Sequence, residues 1–282
     1  MSPLRQSTRA AALLAVSALA LSACGAGGTE TSGPETNDEG VTTIVIGATP
    51  TPHAEILEYV DANLAAEQNI DLDIKTFDDY IQPNVQLSEG TLDANYFQHL
   101  PYFEEQVEDR GYEFAHYKGI HIEPFALYSA SIKDVKDLPE GGQVGINNDP
   151  SNQGRALELL ATAGVITLAD GKDATNATIN DIAENPKDIE FVETAAAQLP
   201  RSLEDLDAAV INGNYAIEAD LSVDDALLVE SGEDSPYGNF IAVQEANKDN
   251  EALVALDELL HSPEVKAFIE KTWPNGEVYP AF

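Results

Sequence analysis

Three polar loops hold the side chains with the most potential for chemistry in this chain. They span residues 78–84, 93–102 and 147–155, and each follows the end of a predicted strand. The loops carry more amide, aromatic and charged groups than a turn requires. Side-chain amides offer both hydrogen-bond donors and acceptors, and aromatic rings can enclose apolar groups. The loops therefore predict a site that binds a small ligand.

Arg155 lies on the first turn of the helix that the third loop opens. A helix N-terminus has free backbone N–H groups and partial positive charge, so it attracts anions. Asp149, Ser151 or Asn152 could cap this helix, and Arg155 could hold a ligand carboxylate through two parallel hydrogen bonds. The alternative is that Arg155 pairs with a neighbouring acid, because the chain has 50 acidic residues against 14 cationic ones.

Aromatic and amide side chains elsewhere could complete the site. Asn212 closes a short predicted strand, and Asn239 precedes another. Their amides could bind both an ammonium and a carboxylate group, although asparagine is also a common turn residue. Four aromatic residues near two strand ends could form an apolar wall, but aromatic residues at such spacings more often belong to an ordinary core. They are Tyr80, Tyr96, Phe97 and Tyr102.

The sequence lacks the common catalytic motifs. It contains no Gly-x-Ser-x-Gly elbow, no His-Glu-x-x-His helix and no Walker-type glycine loop. His116, His121 and Glu123 do not predict a metal site, because histidines five residues apart do not share a helical face. His99 lies in the aromatic loop and is predicted to donate a hydrogen bond rather than to catalyse. We therefore predict no enzyme activity, metal or cofactor.

The first residues have the pattern of an export signal. Basic residues precede an apolar run over residues 10–21, which is too short to span a bilayer. The run ends in Leu-Ser-Ala-Cys, which resembles the bacterial lipoprotein signal with Cys24 as the acylated residue. We expect residues 1–23 to be removed and Cys24 to anchor the chain at the extracytoplasmic face of the cell membrane. The alternative is an ordinary secretory leader with a chance cysteine.

Cysteine content and net charge exclude several classes of protein and of partner. Cys24 is the single cysteine, so no internal disulfide framework or Cys-ligated zinc site is expected. The net charge of −36 repels nucleic acid and anionic lipid surfaces, and neither is a predicted partner. Residues 24–40 are rich in Gly, Thr, Ser and Glu, so they predict a flexible tether with the fold beginning at Val41.

The rest of the chain alternates strand-like and helix-like segments. The predicted strands cover residues 43–47, 70–75, 92–97, 112–117, 125–128, 143–146, 189–192, 208–211, 227–229 and 240–243. The predicted helices cover residues 53–66, 83–90, 101–110, 154–163, 203–206, 250–260 and 263–271, with a short one ending at 185. Strands separated by helices favour largely parallel sheets. We predict two α/β lobes with a ligand cleft between them.

Six stretches together resemble the methionine-binding lipoproteins of the NlpA/MetQ type, the substrate-binding components of ATP-binding-cassette importers. They follow the family's order and extend the similarity over residues 41–282. The stretches are residues 77–84, 92–99, 148–155, 197–203, 210–216 and 235–239. The resemblance implies a two-lobed periplasmic-binding-protein fold of type II-like topology. Lobe 1 would comprise residues 41–124 plus 241–282, and lobe 2 residues 125–240.

The same resemblance implies roles for individual residues. Arg155 would hold the ligand α-carboxylate beside Asn152, and Asn212 and Asn239 would hold the amino-acid head group. An aromatic-walled slot would enclose the thioether, formed by Tyr80, Phe97, His99 and Tyr102. Arg201 has no implied ligand role.

The resemblance also implies a function and partners. The expected ligand is L-methionine or a close analogue, delivered to an ABC permease and its ATPase complex. The alternatives are a Met-containing dipeptide, D-methionine or another apolar amino acid in the same fold, or a surface adhesin or sensor.

Overall fold

The computed structural model describes residues 33–232 and 235–282. The predicted signal peptide, the lipidation residue Cys24 and the first part of the predicted tether lie outside the described residues. Among the helices that are described, none is both long and apolar enough to span a membrane.

Short strands alternate with helices along the described chain. The strands are β1 (Glu35–Thr36), β2 (Thr42–Ala48), β3 (Ile70–Thr76), β4 (Ala94–His99), β5 (Phe114–His116), β6 (His121–Ile122), β7 (Ala126–Tyr128), β8 (Gln143–Asn147), β9 (Thr167–Leu168), β10 (Ile182–Glu184), β11 (Glu190–Thr194), β12 (Ala208–Ile211), β13 (Leu228–Val229), β14 (Asn239–Gln244) and β15 (Tyr279–Pro280). The helices are α1 (Glu55–Asn63), α2 (Gln82–Ser88), α3 (Leu100–Arg110), α4 (Pro150–Thr162), α5 (Leu199–Ser202), α6 (Gly213–Glu218), α7 (Glu251–Leu260) and α8 (Pro263–Thr272).

Two large sheets organise these elements. The first has eight strands in the order β1-β2-β4-β14-β6-β15, with β3 beside β2 and β5 beside β14. The second has five strands in the order β11-β8-β12-β7-β13. The chain passes from the first sheet to the second between β6 and β7, and it returns between β13 and β14. This is the mixed α/β architecture with two chain crossings.

Each sheet has its own apolar core. Ile44 and Ile46 of β2 pack with α1, α7 and α8, and they are fully buried. Val144 and Ile146 of β8 pack with Leu157 and other residues of α4. Burial of such aliphatic side chains contributes about 1.5–3 kcal/mol each. The α4 helix is therefore firmly docked on the second sheet, and this fixes the position of the polar residues on its first turns.

The sheets are more mixed than the predicted largely parallel arrangement. Strand β2 runs parallel to β3 and β4, but β14 runs antiparallel to β4, β5 and β6. The reason is the point of return: β14 starts at Asn239, which pairs with His99 at the last position of β4. A strand that enters at the end of its neighbour must run in the opposite direction.

Ordered structure begins before the predicted Val41. Strand β1 pairs antiparallel with the start of β2, within the stretch assigned to the tether. The Asn37 side chain accepts hydrogen bonds from Glu39 N and Val41 N, and Gly40 has a φ of 82°. These residues form the tight turn that brings β1 back to β2, because a left-handed φ suits glycine.

Three predicted helices differ from the observed ones. Helix α4 begins at Pro150 rather than Gly154, and α5 lies four residues before the predicted 203–206 helix. Proline is favoured in the first turn of a helix, and Pro150 is the first residue of α4 while Pro200 is the second of α5. The short helix predicted to end at residue 185 is instead a 3₁₀ turn (Ile179–Asp181) followed by β10.

Candidate ligand-binding site

A partly open cavity lies where the ends of the two sheets meet. It contains about 360 Å³ of space, its mouth included. All eight residues assigned to the ligand site in the sequence analysis line it: Tyr80, Phe97, His99, Tyr102, Asn152, Arg155, Asn212 and Asn239. The wall also includes four residues that were not assigned to it, namely Gln98, Glu123, Gly213 and Asn214.

The site residues are positioned by the ends of strands and the starts of helices. The end of β4 and the start of α3 supply the aromatic loop, and the first turns of α4 supply Asn152 and Arg155. Asn212 links β12 to α6, and Asn239 begins β14. Residues far apart in sequence converge here because these strand ends face the same cavity.

Buried amides form a continuous hydrogen-bonded row on one side of the cavity. Asn147 Nδ2 donates to Asn212 Oδ1 at 2.8 Å, and Asn212 Nδ2 donates to Asn152 Oδ1 at 3.0 Å. Nε2 of His99 lies 3.1 Å from the same Asn152 oxygen. Burial, followed by the positive charge of Arg155, lowers the pKa of His99 to about 3. His99 is therefore a neutral hydrogen-bond donor at neutral pH, and in this structure it donates to Asn152.

Arg155 is buried and already has an acidic partner. Its Nε lies 2.9 Å from Glu230 Oε1, its Nη2 lies 2.5 Å from Glu230 Oε2, and Nη2 also donates to the Glu123 carbonyl. The guanidinium carbon stacks 3.8 Å from the Tyr237 ring centroid and 4.7 Å from that of Phe125. The structure thus shows the pairing with a neighbouring acid that the sequence left open. The hydrogen bonds described for Arg155 use Nε and Nη2.

The N-terminus of α4 is capped by protein carboxylates. Asp149 Oδ1 accepts from Asn152 N at 2.9 Å, and Glu105 Oε2 accepts from Ser151 N at 2.9 Å. Asp149 is therefore the cap among the three candidates. These two N–H groups are not free for a ligand anion, so the helix terminus contributes mainly by its orientation of Asn152 and Arg155.

Three aromatic residues of the cavity wall form a cluster. The ring centroid of Tyr80 lies 5.9 Å from those of both Phe97 and Tyr102, and Phe97 and Tyr102 are 6.1 Å apart. Tyr102 Oη donates to the Tyr80 carbonyl at 3.0 Å, and Tyr80 Oη donates to Asn214 Oδ1 at 2.5 Å. The second hydrogen bond joins the loop after β3, a strand of the first sheet, to α6, which follows β12 of the second sheet. Tyr96, the fourth aromatic candidate, lies in the first core and does not line the cavity.

Asn214 and Glu123 are site residues that sequence reasoning missed. Asn214 is 3 % exposed, and its Nδ2 has no hydrogen-bond partner among the described residues. A buried amide donor without a partner costs about 1–3 kcal/mol, so it indicates a contact for a ligand acceptor. Asn214 lies two residues after Asn212, just beyond the end of β12. This position near a strand end is the sequence feature that could have identified it as a site residue.

Glu123 groups with different histidines from those considered in the sequence. His116 is exposed and stacks on Phe240, with ring centroids 4.5 Å apart. His53 instead joins His121 and Glu123 in a buried cluster whose ligand-type atoms lie within 4.8 Å of one another. His53 lies about 70 residues earlier in the chain, so local spacing could not reveal this group.

Gly154 allows α4 to approach the neighbouring loop, and we expect Gly154→Ala to destabilise the fold. An alanine Cβ would lie 2.4 Å from the Ala174 carbonyl oxygen, which is a backbone atom. Glycine to alanine inside a helix is normally stabilising by about 1 kcal/mol, but here the overlap should cost about 1–3 kcal/mol. Urea denaturation measures the change. Thr162→Ala, on an exposed position of α4, is the control and should not lower stability; equal stability of the two variants would contradict the close approach.

The fold has two sheets with packed helices, joined by two chain crossings, and residues from both parts line the cavity. This arrangement defines a two-lobed substrate-binding protein. Comparison with known proteins agrees with this class. The family model described as NlpA lipoprotein matches residues 44–282. The methionine-binding lipoprotein MetQ of Bacillus subtilis is 40 % identical over 273 residues, which cover 95 % of this chain and 96 % of that protein.

Solved structures extend the comparison. A nutrient-binding protein from Burkholderia cenocepacia, bound to methionine, has a TM-score of 0.81 and 44 % identity over 85 % of this chain and all of that one (100 %). An ABC transporter periplasmic substrate-binding protein from Coxiella burnetii has a TM-score of 0.80 and 41 % identity over 84 % of this chain and 100 % of that one. The chain belongs to the NlpA lipoprotein family, which confirms the resemblance drawn from the sequence.

Proposed function

We propose that this protein is the methionine-binding receptor of an ABC importer. The observation that carries the proposal is the combination of buried polar groups and aromatic rings in one cavity wall. The polar groups are Arg155, Asn152 and the other buried amides, and the rings are those of Tyr80, Phe97 and Tyr102. An amino acid with an unbranched apolar side chain matches this combination, and a polarizable thioether suits contact with aromatic rings.

The proposed pose directs the ligand carboxylate to Arg155. The guanidinium has five N–H donors, and those described as engaged belong to Nε and Nη2. Nη1 has no hydrogen bond to the described residues, and we assign it to the ligand carboxylate. The unpaired Nδ2 of Asn214 is a second donor for the same carboxylate. Asn152, Asn212 and Asn239 hold the rest of the head group, as the family resemblance implies.

Binding rather than catalysis is part of the proposal. The described residues of the cavity wall include no serine, threonine, cysteine or lysine that could act as a nucleophile. His99 is neutral and already hydrogen-bonded through both ring nitrogens. The wall residues therefore support recognition and enclosure of a ligand.

Location and partners follow from the same proposal. Cys24 carries the lipid that anchors the protein at the extracytoplasmic face of the cell membrane, since two or more acyl chains anchor stably. Residues 41–124 plus 241–282 act as one lobe and residues 125–240 as the other. Closure of these lobes on the ligand produces the form that docks on the permease and its ATPase.

Calorimetric titration of ligand-free protein tests the ligand. We expect one-to-one binding of L-methionine and little heat with leucine or glutamate, because contact with the aromatic rings suits an unbranched, polarizable thioether. D-methionine and a Met-containing dipeptide are titrated in parallel, and tighter binding of either would replace L-methionine as the ligand. No heat with any of these compounds would refute the proposal and favour an adhesin or sensor.

A further inference from the structure

Glu123 is the second charged residue in the described cavity wall, beside Arg155. Its side chain is buried, with the residue 6 % exposed, and it follows β6 directly. Gly213 lies against it, since a Cβ at that position would be 2.6 Å from Glu123 Cβ. The wall thus presents one buried cation and one buried anion to the cavity. A zwitterionic head group has the matching pair of charges.

Two histidines contact one oxygen of the Glu123 carboxylate. His121 Nε2 lies 2.8 Å from Glu123 Oε1, and a carboxylate oxygen can only accept, so Nε2 of His121 carries the hydrogen. His53 Nε2 lies 3.4 Å from the same oxygen and 3.1 Å from Asn239 Oδ1. Both of its neighbours are acceptors, so His53 is also an Nε2–H donor. Oε1 therefore accepts a hydrogen bond from His121 and lies beside the N–H group of His53.

The far nitrogen of each ring has its own hydroxyl partner. His53 Nδ1 lies 2.6 Å from Thr49 Oγ1, and His121 Nδ1 is hydrogen-bonded to the Tyr96 hydroxyl. Burial is the largest influence on both rings, and it lowers the pKa of His53 to about 4 and of His121 to about 3. The two imidazoles are therefore neutral, and they orient the carboxylate without cancelling its charge.

Among the described residues, Glu123 forms no salt bridge with a lysine or an arginine, and its ion-pair contacts are with His53 and His121. Arg155 is the cation nearest to it in the cavity wall, but both of its bonded nitrogens engage Glu230. A buried carboxylate without a cation is costly, and its burial raises the pKa of Glu123. A cation supplied by the ligand would remove that cost at the moment of binding.

We propose that Glu123 binds the α-ammonium group of the ligand and makes a free amino group a requirement for tight binding. The inference rests on the proposed function, because it places the amino group of an amino acid in this cavity. His53 and His121 act as positioning residues that hold Oε1, so that the carboxylate meets the ammonium in a fixed orientation. Charge-assisted hydrogen bonds of this kind are stronger than neutral ones.

A metal ion is the competing occupant of this cluster. Two histidines and a carboxylate are a common zinc ligand set, and oxygen partners on the far nitrogens would orient the rings. Both nitrogens of both rings, however, already have hydrogen-bond partners among the described residues. The arrangement is complete without a metal, and this favours the ammonium.

Titration of two ligands against two proteins tests the inference. The ligands are L-methionine and 4-(methylthio)butanoate, which lacks only the amino group; the proteins are the wild type and Glu123→Gln. We expect the wild type to prefer methionine by about 100-fold, as for a buried charge pair. Glu123→Gln should lose most of that preference while it retains its affinity for the deaminated ligand. Glu277→Gln, at a partly buried glutamate outside the cavity wall, should keep the preference.

A second measurement uses the unaltered protein. An ammonium can pair only with ionised Glu123, whose pKa is raised in the empty site, so methionine binding should release protons at mildly acidic pH and weaken as the pH falls. The charged and titratable groups around this carboxylate are His53, His121 and Arg155, with Tyr80 and Tyr96 nearby. Calorimetry in buffers of different ionisation enthalpy counts the protons. The deaminated ligand should release none.

The outcomes separate this inference from the proposed function. Equal weakening of both ligands by Glu123→Gln would show that the carboxylate is only structural. Equal proton release with both ligands would contradict the ammonium contact even if the variant does not fold. A stoichiometric divalent metal, removed by a chelator together with methionine binding, would make the cluster a metal site. A wild type that binds neither ligand would instead refute the methionine proposal.

Discussion

Arg155→Ala should weaken methionine binding by about 2–5 kcal/mol, because a buried carboxylate loses its charged partner. The guanidinium is 4 % exposed, and it lies between the Tyr237 ring and the Glu230 carboxylate. Because this position is buried, water cannot readily replace the guanidinium as a partner of the ligand carboxylate. Calorimetric titration of wild type and variant measures the difference. Arg155→Lys should lie between the two, since lysine keeps the charge but lacks the planar fork.

The ion pair between Arg155 and Glu230 allows a further test of whether Arg155 contacts the ligand directly. Removal of Arg155 leaves Glu230 beside the cavity, where its negative charge would repel a ligand carboxylate. The double variant Arg155→Ala with Glu230→Gln removes that repulsion but also lacks the ligand's own partner. Its affinity should stay low. Recovery to the wild-type value would mean that Arg155 only neutralises Glu230, and Arg201→Ala, at an exposed arginine, is the control for loss of a cation.

Leu157→Ala should destabilise the protein by about 2–5 kcal/mol, the range for a fully buried leucine that leaves a cavity. Leu157 is 0 % exposed and packs in the core of the second sheet with Val144 and Ile146. It also lies on α4, two residues after Arg155. The free energy of unfolding from chemical denaturation gives the loss. Leu159→Ala, at a partly buried leucine of the same helix, is the matched control and should lose less.

Methionine separates the stability effect from the binding effect. A ligand at about 100 times its Kd stabilises the folded state by about 2.7 kcal/mol. Leu157→Ala should keep most of that increment, because its side chain lies on the core side of α4. Arg155→Ala should lose most of it at the same methionine concentration. An equal loss in both variants would show that the helix, rather than the guanidinium, determines binding.

The strand ends and helix starts of the candidate site were predictable from the sequence for a physical reason. Polar and aromatic residues that follow apolar strands must lie near a sheet edge, and the structure brings Tyr80, Asn152 and Asn239 to one cavity. The partner of Arg155 was not predictable, because Glu230 is one of 50 acidic residues and lies 75 positions away. Composition shows that a partner is available but not which one it is.

The cluster of His53, His121 and Glu123 also could not be predicted from the sequence. His53, Glu123 and His121 are each polar residues at positions that patterns of apolar spacing treat as loop or surface. Their burial depends on mutual hydrogen bonds, and these form only after β6, β14 and the segment before α1 have met. Local periodicity contains no information about such a contact. The antiparallel direction of β14 was missed for the same reason, since it depends on where the chain returns.

The position of β14 has a consequence for the order in which the chain acquires its fold. This strand, near the C-terminus, pairs with β4, β5 and β6, so the middle of the first sheet is incomplete until residues 239–244 are available. The second sheet is built from one continuous stretch and has no such requirement. Contacts between distant residues form slowly. In a chain with a signal peptide, the first sheet would thus stay incomplete during synthesis until β14 is made, and an incompletely folded chain is the form that can pass through an export channel.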